Sequence, residues 1–338
     1  MASPPPPDED GRPVLDSLGP EKILEVEGIP PGGDPIRIPD DGAATAILTA
    51  LDDRLDRNER STAAAVCWRI FAGFELAEGA EMAFLAGFLE RLEPRVWRTR
   101  LAETYKALEN ILVARLRFER DRETLLLLAR SAARSVHAFL LARQFSRAEH
   151  ICRVVVRLAP EEDEGENTRP PGDLEEATRV AFGTLAGTDF YDLLMSDLAS
   201  ETPERSDAAA AVLRQVAATY ASRLVDTLRT SGDYRMRRAV AEALGASDFG
   251  GVSVIGQLGP SMPSEEYANI ISVIDVLDLE PSIAEEVVVQ AINHQSETVR
   301  KEAVSVAYRL PSSSALGVLQ RAVNAGGTLG ALRTLQAI

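Results

Sequence analysis

In the last third of the chain, from about Arg205 to Ile338, apolar and small residues fall at helical spacing, and the pattern returns. Counted from Met236, offsets of three, four, seven and eight reach Ala239, Val240, Ala243 and Leu244, one face of a helix. From Tyr267 the same offsets give Ile270, Ile271 and Ile274, and from Val299 they give Ala303, Val306 and Ala307. The starts lie 31 and 32 residues apart, and partner helices expected near Val252, Ile283 and Ala315 keep that interval. The repeated unit is therefore a pair of helices.

Upstream, the same periodicity predicts helices over 41–55, 63–76, 81–92, 96–118 and 123–141, with Asp40 or Asp41 capping the first. Pro94 suits the first turn of the helix that follows it, and Trp68 and Trp97 read as core anchors of a helical bundle. Residues 160–173 carry charge and proline without apolar periodicity, which marks an exposed loop and a boundary between subdomains. Helices resume over 174–186, 190–198, 207–218 and 222–228, with Pro203, Pro263, Pro281 and Pro311 between helices or in a first turn. Ten of the nineteen prolines lie in residues 1–40, so this arm is read as extended or disordered on its own. Within it, Ile23-Leu-Glu-Val-Glu-Gly-Ile29 alternates in part, and Ile36-Arg-Ile38 follows a Pro-Pro-Gly-Gly turn. The stretch is either a plain linker or an island that docks on the body or a partner as a short strand or linear motif.

Two stretches carry family resemblances. Met236-Arg237-Arg-Ala-Val240, preceded by Asp233, and Val299-Arg300-Lys-Glu-Ala303, preceded by Glu297, resemble the second helix of HEAT repeats, in the short bacterial form also seen in phycobilisome-lyase-type proteins. Asp233 with Arg237 and Glu297 with Lys301 stand at the spacing that pairs charges along a helix. Residues 139–160 resemble the second half of a tetratricopeptide repeat, with Ala148 at its small packing position and Pro160 at its closing proline. In such arrays each hairpin covers the apolar face its neighbour leaves bare, and small residues allow close approach. Residues 328–338 read as the second helix of a further unit with no polar cover, which leaves self-association through that end open.

Composition agrees with helices. Apolar residues make up 45% of the 338 and aromatic residues only 5%, with three lysines beside many arginines. The net charge of −16 argues against a general nucleic-acid binder. It conceals a basic block, residues 91–160, with fifteen basic and seven acidic side chains between acidic flanks. This block is either a cationic groove for an acidic partner or a set of arginines bonded to neighbouring acids. Cys67 and Cys152 are far apart and form no metal-ligand spacing, which fits a reduced, cytoplasmic setting. No run of about 18 apolar residues is present, so no transmembrane segment is expected.

Candidate chemistry is sparse. His137, His150 and His294 are each followed by a residue other than glutamate, and His150 and Cys152 point to different helix faces. No lysine follows a glycine as in a phosphate loop, and Gly250, Gly251, Gly256 and Gly259 read as turn and close-packing glycines. The expected fold is all-α: an α-solenoid, with a proline-rich arm over 1–40, a basic helical-bundle or tetratricopeptide-like section over 41–160, an acidic loop over 161–173 and a HEAT-like array over 174–338. The expected role is a non-catalytic scaffold or adaptor that binds a protein partner, an acidic or extended segment, along the repeat surface. Arg95, Arg98 and Arg115 in the basic block, with Arg237, Arg238, Arg300 and Lys301 in the repeats, are the candidate partner-facing residues. No cofactor or metal is expected. The competing readings are an enzyme on a HEAT-like scaffold, of the base-excision glycosylase or bilin lyase type, and a self-assembling structural protein.

Overall fold

The structure, a computed structural model, describes residues 35–36, 38–158, 171–247, 249–259, 261–310 and 315–325. The expectations for the arm before residue 35, for the acidic loop over 161–170 and for the closing helix over 328–338 lie outside these residues. The described residues are helical with no strand, and they form two compact units, up to Tyr191 and from Asp192 onward.

The first unit holds α1 (Asp41–Asp56), α2 (Arg60–Leu76), α3 (Gly79–Thr99), α4 (Ala102–Phe118), α5 (Arg122–Leu141), α6 (Phe145–Val156) and α7 (Pro171–Ala186). Their packing makes two rows. α1 packs on α3, α3 on α5 and α5 on α7, while α2 packs on α4 and α4 on α6. Sequence neighbours join the rows, so the unit is a stack of helical hairpins. The core lies between the rows, where Phe74, Leu89, Leu108, Leu112, Leu128 and Phe139 are all sealed from solvent. Caps fix several starts: the Asp40 carboxylate accepts from Ala43 N–H at 2.8 Å, and Asp121 accepts from both the N–H and the hydroxyl of Thr124 at 2.8 Å.

The structure corrects several sequence expectations. Pro94 does not begin a helix but sits inside α3, which runs unbroken from Gly79 to Thr99. Its neighbours Leu85, Phe88, Leu89, Leu92 and Val96 form one buried stripe, and that burial outweighs the single hydrogen bond proline removes. The break falls instead at Arg100, in the left-handed region at φ 55°, dividing the run expected over 96–118. The loop expected over 161–173 ends early, because Pro171, Gly172 and Asp173 open α7. α7 packs on α5 and α6, so the division between units falls inside α8 (Phe190–Leu198) and not at that loop. α5 has the length and mean hydropathy of a membrane span, 1.2 over its most apolar window, although Arg130, Arg134 and His137 interrupt its apolar run. Its apolar surface is covered by α3, α4, α6 and α7, as for a core helix.

The second unit holds most of α8, then α9 (Pro203–Val216), α10 (Ala221–Thr230), α11 (Tyr234–Gly245), α12 (Gly250–Ile255), α13 (Ser264–Ile271), a 3₁₀ turn at Ile274–Val276, α14 (Pro281–Ile292) and α15 (Glu297–Ala307), and residues 315–325 are helical. Helices begin close to the positions the periodicity indicated, and Val240, Leu244, Ile271, Ile274, Val299, Ala303 and Val306 are buried. Pro203 and Pro281 stand in first helical turns, and Pro263 immediately precedes α13. Two glycines permit backbone contact: a Cβ on Gly245 would lie 2.7 Å from the Leu277 carbonyl carbon, and one on Gly251 would overlap the Leu277 carbonyl oxygen. Gly250, at φ +68°, makes the turn immediately before Gly251.

Candidate functional site

The feature of the first unit that the core leaves unfilled is a trough between α2 and α4. On α2, Trp68, Phe71, Ala72 and Glu75 recur at helical spacing along one wall. On α4 the opposite wall is built from Glu103, Lys106, Ala107, Asn110, Ile111 and Ala114. The trough exists because alanines stand at 72, 107 and 114, where longer side chains would close the space between the two helices. It consists of two adjoining depressions, of about 380 and 430 Å³, that share Glu75, Asn110 and Ile111. Phe71 and Ile111 are buried and give the floor, whereas Lys106 and Asn110 rise at the rim. Phe118 closes one end with 77% of its surface in solvent, a large apolar group with no intramolecular cover. The chemistry on offer is burial of apolar side chains beside a mixed polar rim: the carboxylates of Glu75 and Glu103, the cations of Lys106 and Arg115, and the Asn110 amide. Lys106 makes no ion pair among the described residues.

The basic block points elsewhere. Arg95 reaches from α3 to both carboxylate oxygens of Asp52 on α1, at 3.2 and 2.6 Å. Arg98 joins the same carboxylate at 2.8 Å and Asp56 at 2.5 Å. Arg134 on α5 bonds Glu93 and Glu90 on α3 at 2.8 and 3.1 Å, and Arg147 on α6 bonds Glu109 on α4 at 2.6 Å. These arginines tie each helix to its predecessor in the same row, so Arg95 and Arg98 are engaged inside the stack. Arg115 lies at the trough's end, where its guanidinium donates to the Phe74 carbonyl and satisfies a group orphaned by the end of α2.

The repeat residues divide in two. Arg237 and Arg300 are buried, at 9% and 8% exposure, and do not face outward. Arg237 donates to the Ser231 carbonyl at 2.9 Å and the Ser272 hydroxyl at 3.2 Å, and Arg300 donates to the carbonyls of His294 and Gln295 at 3.0 and 2.8 Å. Each arginine reaches back six residues to clamp the turn before its own helix. Asp233 does not pair with Arg237, as its spacing suggested, but caps α11 by accepting from Arg235 N–H at 2.9 Å. Arg238 and Lys301 are exposed and bond Glu242 and Glu297 one turn away, at 3.0 and 2.7 Å.

The titratable groups are explained by the fold. His137 bonds Asp189, and His150 bonds Glu109. His294 stacks on Tyr267 at 4.9 Å and accepts from Ser296 N–H, and burial with the Arg300 charge holds its pKa below the usual histidine value. Burial pushes the thiols of Cys67 and Cys152 up to about 12, far from the thiolate a nucleophile needs. Glu93 is sealed between α3 and α5, and its burial outweighs the pull of Arg134, raising its pKa to about 7. Among the described residues, no group of three His, Cys, Asp or Glu side chains is placed to hold a metal.

Sequence reading sees ordinary helices over 63–76 and 96–118 and weighs the arginines as a groove or as ion pairs with neighbouring acids, and so passes over the trough. The available signal was the facing alanines at 72, 107 and 114 with Phe118 at the end of an apolar run. Trp68 and Trp97 are half-buried: Trp68 lines the trough, and Trp97 packs 5.0 Å from Tyr105 and 5.1 Å from Phe139.

No family model matches the chain and no curated protein matches it. Two solved structures described as engineered proteins are similar to it. One shares 17% identity and a TM-score of 0.33 over 96% of this chain and 89% of that chain. The other shares 21% identity and a TM-score of 0.20 over 68% of this chain and 94% of that chain. At such TM-scores neither likeness carries an argument about fold or function.

Proposed function

We propose that the chain is a non-catalytic interaction scaffold of the α-solenoid type, HEAT-like in its second unit, which binds a protein segment in the α2/α4 trough. The trough supports this reading: an apolar floor of Phe71 and Ile111, flanked by half-buried Trp68 and ending at exposed Phe118, lies open beside Lys106 and Asn110. A short extended or helical segment with two or three apolar side chains fits such a site. The partner-facing surface is thus moved from the arginines to the line between α2 and α4, because the arginines are bonded within the units. Nothing in the described residues favours the glycosylase or lyase readings.

Selection of displayed peptides on the full chain tests the proposal. Phe118 is 77% exposed, so Phe118→Glu should leave the fold intact while weakening the selected peptides at least tenfold. Peptides that bind wild type and Phe118→Glu equally, or a selection that returns nothing above background, would remove the trough from the argument.

A further inference from the structure

Residues 57–59, 100–101 and 142–144 are all that join α1 to α2, α3 to α4 and α5 to α6, so each pair is an antiparallel hairpin. Helices that follow one another in a row are therefore parallel, and the three hairpin turns fall along one edge of the first unit. Side chains near the turns confirm it. Arg98, at the end of α3, reaches Asp56 at the end of α1, Trp97 packs on Phe139 near the end of α5, and Arg147 at the start of α6 reaches Glu109 on α4. Each turn also holds one residue in left-handed backbone: Asn58 at φ 62°, Arg100 at φ 55° and Arg143 at φ 57°. Glycine and asparagine adopt that conformation at least cost, and the first turn has its asparagine. The other two have arginine.

Neither arginine serves the stack. Arg100 and Arg143 are exposed, as are Arg57 and Arg60 around the first turn, and among the described residues none of the four makes an ion pair. The other arginines of the edge, Arg54, Arg98 and Arg147, are engaged by Glu59, by Asp52 and Asp56, and by Glu109. The stretches 53–60, 98–103 and 141–147 hold seven arginines against four acids, Asp53, Asp56, Glu59 and Glu103. Asp56 and Glu59 are bonded as above, Glu103 stands in the first turn of α4, where the positive end of that helix takes up its charge, and Asp53 is exposed. The next turn along, after α7, ends the cationic run with Asp189, bonded to His137. We infer that this edge binds an extended acidic protein segment, whose carboxylates meet Arg143, Arg100 and the Arg57–Arg60 turn in succession. Neighbouring helices of a row stand about 8–10 Å apart, so the turns offer their cations at nearly that interval. Three residues of extended chain span about 10 Å, which places an acid at every third position. Leu141, 58% exposed two residues before Arg143, gives the segment an apolar contact. So sparse a row suits carboxylates better than a nucleic-acid duplex, which carries a charge about every 1.7 Å and would be repelled by the net charge of −16. This surface does not depend on the trough.

Fluorescence anisotropy of a labelled peptide, Glu-Ser-Thr repeated four times, tests this on the full chain at low salt. Arg100→Gly combined with Arg143→Gly should weaken its binding about fivefold, as expected for two exposed ion pairs. The same changes put glycine where the backbone favours it, so Tm should hold or rise. Arg117→Gln removes an exposed arginine at the far end of α4, which makes no ion pair among the described residues, and should leave the affinity unchanged. Equal affinity for wild type and the double variant, an equal loss on Arg117→Gln, or no binding to wild type at about 1 mM peptide would overturn the inference. So would lost binding with a lower Tm, which would assign the two arginines to the turns themselves. A short DNA duplex that binds more tightly than the peptide, and weakens in the same double variant, would give the edge to nucleic acid instead. Peptides selected on the trough should bind the double variant as they bind wild type, so this surface and the proposed function fail separately.

Discussion

The two units are both stacks of helices, yet the second adds a means of joining them that the first uses little. In the first, helices of 16, 21 and 20 residues succeed one another along one row, and arginines bridge each helix to the next. Arg95 and Arg98 reach α1 from α3, and Arg134 reaches α3 from α5. The second, with helices as short as 6 and 8 residues, has such bridges too, Arg229 to Glu266 and Arg321 to Glu285 among them. There buried arginines hold backbone as well: Arg237 and Arg300 clamp turn carbonyls, and Gly245 and Gly251 bring their helices against the backbone at Leu277. Where helices are short, close backbone approach is added to the side-chain bridges. A trough wide enough for a ligand occurs in the first kind of unit, where alanines separate two long helices.

The largest expected contrast is in pH dependence. Glu93, in the first unit, has a folded pKa of about 7 against 4.5 unfolded. A raised folded pKa contributes stability that is fully present below pH 4.5 and is lost as pH rises to about 7. The swing is on the order of 3 kcal/mol. Glu93→Gln should flatten denaturant-derived stability of the first unit across that window. His294, in the second unit, carries the opposite sign: its lowered pKa gives stability present above about pH 6.5 and lost as pH falls further. Should the Glu93→Gln chain keep the full wild-type slope between pH 4.5 and about 7, the buried acid is not its source.

The next contrast is between the two kinds of arginine. Arg300→Met leaves the His294 and Gln295 carbonyls without their buried donor and should cost about 2–3 kcal/mol in chemical denaturation. Arg98→Met removes an exposed pair to Asp52 and Asp56 and should cost less than about 1 kcal/mol. Equal losses would mean that the ladder of the first unit and the clamps of the second contribute alike.

The second unit's architecture was legible because its helices begin at 234, 264 and 297, close to even intervals, and Val240, Ile271 and Ala303 keep register. The first unit's row begins at 41, 79, 122 and 171, and intervals that lengthen conceal the same hairpin stacking from any search at a fixed period. Individual helices could still be read, down to the Asp40 cap. Arginine roles could not, because spacing along the chain says nothing of an acid 43 residues away, as with Arg95 and Asp52. The trough was hidden for a related reason. Ala72 and Ala107 look like ordinary packing residues until their helices are placed side by side.

Glycine substitution separates the units at the smallest scale. Gly87 lies within α3, and a methyl added there would meet nothing inside 4 Å, so Gly87→Ala should stabilise the first unit by about 0.5–1 kcal/mol through lost unfolded-state freedom. Gly251 lies in the first turn of α12 against the Leu277 carbonyl and the Leu279 side chain, and the same methyl has no room there. Gly251→Ala should therefore destabilise the second unit by about 1–3 kcal/mol. Thermal unfolding of the two single variants and the double variant reads both effects, which should add if the sites are independent. A stabilising Gly251→Ala would show that the backbone at Leu277 yields to a side chain, and the backbone joining of the second unit would then rest on the arginine clamps alone.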